Sequence, residues 1–500
     1  MKGKIVPIII SVLVLVVGGI ATASFLLKKS PKEQYFLAEI DTAKNSIELF
    51  KERYEDEFQW AEVVKEKPTA HTLDLSAEYE GQGIGTENEM ISNILSGTSV
   101  SIDVATDPAK KVVEAKLSGS IMDVPLDEIK GYVTAEKIML DFPFSEKNIQ
   151  LKDKELGKLM LNLDEYYTGS EELGLADLFD NPSLLTEAQE KYLLDAYVMY
   201  VFKELPEEAF TVEKETIKVH GESLKANQVT MKLSAKEMQG LLVKVLEKAK
   251  SDEKLKDIIE DILKKYGGTE KDLALEMFEE SYEEEMNNAI EELKSTELKG
   301  SVKSVIWTAD NQIVKRDLKF TEGKESSLVI KGTQLLNKDQ QQFSYDFSDG
   351  YTTVTLKGDL TSKDGKIADS ISLSDGSGIG VTYEGDETLK KGVRTFERKL
   401  SLNEGSDEYF ISWDGTSEYK KDRVVADHKL GFDIEGVSGK LIIAEKGEIV
   451  KKVSMPSDAK VIDLGGMDRA ELEQYFYEEL MPSVEEWIYQ YQEQLESIFY

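Results

Sequence analysis

Residues 340–376 read QQQFSYDFSDGYTTVTLKGDLTSKDGKIADSISLSDG. Phe343, Tyr345 and Phe347 alternate with polar residues, and Asp349-Gly350, Asp364-Gly365 and Asp375-Gly376 interrupt the runs. Alternation with period two sets one side-chain face on a core and the other in water, and Asp-Gly pairs suit tight turns. The stretch therefore predicts successive antiparallel hairpins. The same rhythm extends from Leu298 to about Val453, with Leu430, Phe432 and Ile434 as a second alternating run. Turn signals recur from Asp310-Asn311 through Glu322-Gly323, Glu404-Gly405, Asp414-Gly415 and Glu435-Gly436 to Lys446-Gly447.

Upstream, Leu73, Leu75, Ala77 and Tyr79 alternate in the same way. Further strands are expected around Val100–Val104, Val113–Leu117, Ile129–Val133, Ile138–Phe142, Phe210–Val219 and Leu224–Leu233. Helices separate these groups. Ser30-Pro31-Lys32-Glu33 is a capping box with proline at the first helical position, and it predicts a helix to about Lys67, before Pro68. Its apolar residues Phe36, Ile40, Ala43, Ile47, Phe50 and Tyr54 form a heptad-like stripe. The stripe either packs on its own domain or forms a dimer seam. Helical patterns follow over about 155–208, from Ser234-Ala235-Lys236-Glu237 to about Leu293, and after Asp468, where Pro482 predicts a kink.

The chain begins with an uncharged run at 5–27, IVPIIISVLVLVVGGIATASFLL, between lysine pairs. Its length suits a membrane-spanning helix, and the expectation is a retained signal anchor with the bulk of the chain extracytoplasmic. The alternative is secretion after cleavage at Ala23, from the Ala21-Thr22-Ala23 pattern. The expected fold class is α+β: an N-terminal transmembrane helix, then large twisted antiparallel sheets, as β meanders, packed on amphipathic helices. The expected segments are 1–29 (anchor or signal), 30–67 (juxtamembrane helix), 68–295 (an N-terminal α+β region) and 296–500 (a β meander with a terminal helix).

Charge and composition exclude several functions. The 500 residues carry 96 acidic and 61 basic side chains, a net charge of -35. That balance opposes nucleic-acid binding and electrostatic docking on anionic lipid. Cysteine is absent, which removes disulfides, thiolate chemistry and lipoprotein acylation. Gly81-Gln82-Gly83-Ile84-Gly85 and Gly376-Ser377-Gly378-Ile379-Gly380 lack the spacing and setting of a dinucleotide loop and read as turns. His71, His220 and His428 are far apart in sequence and form no metal pair, and no nucleophile elbow accompanies them. The acidic run Glu279, Glu280, Glu283, Glu284 and Glu285 reads as a solvated helix face, and Asp346, Ser348, Asp349 and Gly350 as a hairpin turn. No catalytic, cofactor or metal residue is assigned, and the ligand-binding residues stay open. The aromatic residues either fill a core or line an apolar cavity in a curved sheet.

The layout resembles uncharacterised membrane-anchored envelope proteins of Gram-positive bacteria. The block Phe210–Tyr266 is similar in style to lipoprotein-carrier folds of the LolA and LppX type. That resemblance implies a curved sheet able to hold acyl chains. The expected function is a non-catalytic, membrane-anchored, extracytoplasmic binding or assembly module of the cell envelope that engages an envelope protein partner. The alternative is a carrier or sensor of a lipid-like apolar ligand, and an exported hydrolase stands third.

Overall fold

The computed structural model describes residues 30–81, 92–164, 166–167, 169, 172–179, 185–266, 271–322, 326–434, 437–456 and 461–499. Twenty strands form one sheet. In chain order they are β1 (Thr69–Gly81), β2 (Ser99–Asp107), β3 (Val112–Ile121), β4 (Val124–Thr134), β5 (Lys137–Asp141) and β6 (Asn148–Lys152). After a helical stretch come β7 (Phe210–Val219) and β8 (Glu222–Ser234), then more helices, then β9 (Gly300–Ala309) and β10 (Gln312–Glu322). The meander goes on through β11 (Ser326–Leu336), β12 (Gln340–Ser348), β13 (Thr353–Lys363), β14 (Lys366–Ser374) and β15 (Ile379–Lys390). It ends with β16 (Val393–Glu404), β17 (Asp407–Tyr419), β18 (Arg423–Ile434) and β19 (Val437–Ile449), and a short β20 (Val461–Asp463) follows.

Neighbouring strands run in the order β7 through β19, then β1 through β6, then β20. The pairings are antiparallel except that of β6 with β20. The N-terminal strands thus continue the C-terminal meander, because β1 pairs with β19 along its whole length.

Two helices cross this sheet: α1 (Pro31–Arg53) and α2 (Glu55–Glu66). The capping box forms as expected, with Ser30 accepting from the Glu33 amide. The expected single helix breaks at Tyr54, which leaves helical geometry at φ -120 and ψ 37. Tyr35 meets Ser304 on β9, Glu39 pairs with Arg316 on β10, Arg53 with Asp369 on β14, and the ring of Trp60 lies tilted against His71 of β1. From Tyr35 to Trp60 a helix rises about 37 Å, whereas the strand steps from β9 to β1 span about 53 Å. The sheet must therefore bow around the helices, as an arc over a chord. At the β7 end it folds back on its other face: Thr333 Oγ1 on β11 lies 3.3 Å from Nε2 of His220, in the turn between β7 and β8, over a second core that includes Ile217, Val305 and Trp307.

Glycines on the helix-bearing face make this curvature possible. The ring of Phe343 covers Gly358, where a Cβ atom would lie 2.2 Å from it, and Tyr345 covers Gly332 in the same way at 2.1 Å. The inner face of a curved sheet is crowded, and glycine relieves it. The same crowding corrects two turn expectations. Asp414-Gly415 and Lys446-Gly447 lie inside β17 and β19, with Phe396 over Gly415 and His71 over Gly447.

The main core lies where β8, β9 and β10 meet α1 and three helices, α6 (Ala235–Lys250), α7 (Glu253–Tyr266) and α8 (Lys271–Ser295), among others. Between β6 and β7 stand α3 (Leu156–Leu163), α4 (Glu187–Leu193) and α5 (Met199–Glu204). Tyr35, Phe36, Phe210, Met231, Leu242 and Ile306 are buried together there. The last helices are α9 (Arg469–Gln474), capped by Asp468, and α10 (Met481–Phe499). The irregularity expected at Pro482 is a π-helical turn over Tyr475–Leu480, just before it.

Large sheets, one or two in number, were expected, and one continuous sheet forms, with β8 pairing β9 across the 295/296 boundary. One part of the expected fold class is corrected. An N-terminal transmembrane helix was expected as a signal anchor. Residues 5–27 lie outside the described residues, and among the described residues no helix is long and apolar enough to cross a membrane. The long described helices carry charged side chains along their length, as in EESYEEEMNNAIEELK of α8. The transmembrane-helix classification and the single-pass, extracytoplasmic localisation are set aside with it.

The Arg316–Glu39 pair joins α1 to the sheet with both side chains buried. Glu39→Ala leaves a buried guanidinium unpaired and is expected to cost about 3–5 kcal/mol, measured as a lowered urea midpoint. Gly358→Val is expected to cost about 1–3 kcal/mol by overpacking, and Phe343→Ala in the same chain should recover part of that loss.

Candidate functional site

Register carries one side-chain phase across the whole meander. Tyr345 opposes Leu356, Leu356 opposes Leu373, Leu373 opposes Val381, and Val381 opposes Leu402. The series continues through Leu400 with Ile411, Ile411 with Phe432, Leu430 with Leu441, and Leu441 with Ala77. These residues share the face that carries α1 and α2. Over β13–β16 the opposite face holds the polar alternates, such as Lys357, Ser372, Thr382 and Lys399.

The helices cover only one half of each strand on the inner face. Near them Ile367, Phe396, Val424 and Ala426 are buried. Toward the other strand ends Leu373, Val381, Leu400, Leu402, Ile411, Phe432 and Leu441 stay exposed, with Ile411 at 55%. Leu117 on β3 and Leu140 on β5 extend the stripe. From β12 to β5 it spans about 58 Å. The helix pair supplies a wall. Phe50 meets Tyr54 and Phe58, with ring centroids 5.1 and 6.0 Å away, and Ile47, Phe50 and Phe58 are exposed. Tyr54 reaches Glu387 and lies beside Arg398. Floor and wall together make an open apolar trough.

A polar seam runs along the base of the wall. Arg394 donates to Glu387 at 2.6 Å, to Glu57 at 2.8 Å and to the Arg53 carbonyl at 2.8 Å. Arg398 also reaches Glu387, at 2.7 Å, and lies over the rings of Phe396 and Trp413. Arg53 holds Asp369 with two bonds of 2.7 and 2.6 Å. Burial pushes the Tyr54 hydroxyl up to about 12, helped by the Glu387 charge. The seam ties the end of α1 and the start of α2 to β14–β16.

Further along, Trp413 Nε1 donates to His428 Nδ1 at 3.2 Å. His428 Nε2 faces Glu445 at 3.9 Å, and His71 Nδ1 faces the same carboxylate at 3.4 Å. The imidazoles of His428 and His71 lower the Glu445 carboxyl to about 2. With Nδ1 accepting from Trp413, His428 turns Nε2 toward Glu445. His71 Nε2 is buried without a hydrogen-bond partner among the described residues.

Sequence separation hid this group: His71 and His428 lie at opposite ends of the chain, and the β1–β19 pairing brings them together. His220 is elsewhere, at the β7–β8 turn with φ 44. The acidic run Glu279–Glu285 lies on α8, where Glu283 pairs with Lys256. Asp349 turns inward to accept from the amides of Tyr351 and Thr352, as a hairpin turn requires. Gly376 and Gly378 have φ +76 and +102 in the β14–β15 turn, and Asp375 accepts from the Ser377 amide. Of the first glycine loop, Gly81 ends β1 and 82–85 lie outside the described residues. No group of three potential metal ligands occurs among the described residues. The trough itself was legible as alternation, but its openness was not.

No family model and no curated protein matches the chain. Among solved structures, the translocator domain of the autotransporter NalP from Neisseria meningitidis is similar over 77% of this chain and 88% of that one, at 6% identity and TM-score 0.14. The CymD monoaromatic hydrocarbon channel is similar over 77% and 90%, at 8% identity and TM-score 0.16. Likenesses this low carry no argument about fold or function.

The Glu445 carboxyl lies below its ordinary value of 4.5 when folded. Its contribution to stability is therefore full above about pH 4.5 and is lost as pH falls toward 2. Glu445→Gln is expected to lower stability at pH 7 and to flatten the decline between pH 4.5 and 2, followed by circular dichroism.

Proposed function

We propose that this chain is a non-catalytic binding protein whose trough takes the hydrocarbon chains of an amphiphile. The observation that carries the reading is the exposed stripe from Leu373 through Leu400, Ile411 and Phe432 to Leu441, walled by Ile47, Phe50 and Phe58. A contiguous apolar surface of this extent marks an interaction site. The stripe presents aliphatic and aromatic carbon in place of hydrogen-bonding side chains, which suits alkyl chains better than a protein partner with backbone groups to satisfy. The neighbouring histidines are bound to Trp413 and Glu445 rather than poised at a nucleophile, which supports binding over catalysis. The trough is longer than the roughly 30 Å thickness of bilayer hydrocarbon, so several chains fit along it.

Native mass spectrometry of protein purified without detergent is expected to show bound lipid-sized masses, and a fluorescent acyl probe should bind to delipidated protein. Leu400→Asp with Ile411→Asp places two carboxylates in the floor and should weaken the probe at least about tenfold. An apo mass together with no probe binding would sink the reading. A dimer mass without lipid would transfer the trough to a second copy.

A further inference from the structure

The hairpins of the meander have two rims. One is the strand end beside α1 and α2; the other is the open end of the trough. The turns on the helix side, from β11–β12 to the exit of β19, comprise residues 337–339, 363–366, 390–392, 420–423 and 450–452. They carry ten basic residues against three acidic ones, in a chain of net charge -35. The turns at the opposite rim over 349–352, 375–378 and 404–407 carry Asp349, Asp375, Glu404 and Asp407 and no Lys or Arg. Charge is thus sorted by strand end rather than scattered.

The basic rim is exposed. Lys363, Lys366, Lys390, Lys391, Lys421 and Lys451 make no ion pair within 4 Å among the described residues. Lys420 pairs with Glu418 and Lys338 with Glu52. Basic turns recur at every second strand, about 10 Å apart, so the rim extends about 38 Å. The acidic rim lies about 35 Å away across the strands, which is several screening lengths at physiological ionic strength, where one is about 8 Å. The nearer carboxylates are those of α1 and α2, where Glu52 pairs with Lys338 and Asp56 shares a cleft with Lys420 and Lys421, so the field is strongest at the turns that make no such pair.

We propose that this rim docks on a lipid bilayer rich in anionic headgroups. The choice of a bilayer over a soluble polyanion rests on the amphiphile-binding reading and on the length of the lysine row, which suits an extended anionic surface. A row of lysines gains about fivefold in affinity per residue near an anionic surface. The composition alone pointed the other way; the arrangement reverses it.

Cosedimentation of the full chain with phosphatidylglycerol–phosphatidylcholine vesicles tests this. Binding is expected at low salt, decreasing as salt rises, and absent from pure phosphatidylcholine vesicles. Lys390→Glu, Lys391→Glu, Lys420→Glu and Lys421→Glu combined should reduce binding by about a hundredfold or more. Asp375→Lys with Asp407→Lys, at the opposite rim, should not reduce it. Circular dichroism melts establish that the variants fold, and individual reversals stand in if the combined variant does not. Wild-type protein that ignores anionic vesicles, or a folded rim variant that binds them equally, overturns the proposal. So does complete displacement from vesicles by a soluble polyphosphate that binds as tightly in solution. Acyl-probe loading separates the two readings. A rim variant that loses vesicles but loads the probe supports rim docking and leaves the trough intact. A Leu400→Asp, Ile411→Asp variant that loses the probe but still binds vesicles overturns the trough reading alone.

Discussion

Phase across the sheet is the constraint on which the rest of the structure depends. Side chains alternate with period two, so a one-residue slip at any hairpin would turn all later apolar residues to the solvent face. The register keeps Leu356, Leu373, Val381, Leu402, Ile411, Phe432, Leu441 and Ala77 on one side through successive pairings, including the jump from β19 back to β1. A single inner face results, and it belongs to the N-terminal and C-terminal parts of the chain alike.

That face is handled in two ways. Over β8–β10 it is buried under helices in an ordinary core. Over β12–β19, among the described residues, α1 and α2 lie on it and reach one half of each strand. The α1–α2 pair is held there by the apolar contacts of Tyr35, Phe36 and Trp60 and by ion pairs of Arg316 with Glu39, Arg53 with Asp369, and Arg394 with Glu57. Buried ion pairs add little net stability but penalise misplacement strongly, since a shift would strand a charge. They fix the position of the helices, and the break at Tyr54 sits amid this seam. Fixed helices leave the other strand halves uncovered, and the trough is that remainder.

Charge follows the same geometry. Hairpins send alternate turns to opposite rims, so a sequence alternation of lysine-rich and aspartate-rich turns becomes two separate edges. Lys390-Lys391 and Asp375 are only fifteen residues apart in sequence, yet they lie a full strand apart in space. The net charge of the chain conceals this, because a sum has no direction.

The sequence by itself determined the strands, most helix starts and the two-faced character of the sheet. These depend on local chemistry: alternation at Phe343–Phe347, the capping boxes at Ser30, Ser234 and Asp468, and aspartate–glycine turns such as Asp364-Gly365. It misjudged Gly415 and Gly447, because a glycine under an aromatic ring and a glycine in a turn look alike in one dimension. Tertiary structure alone decided that twenty strands share one sheet, that β1 joins β19, that His71 and His428 converge on Glu445, and that half of the apolar face stays open. Those outcomes depend on contacts between residues hundreds of positions apart. Periodicity states that a residue has an apolar side to face but not which element covers it.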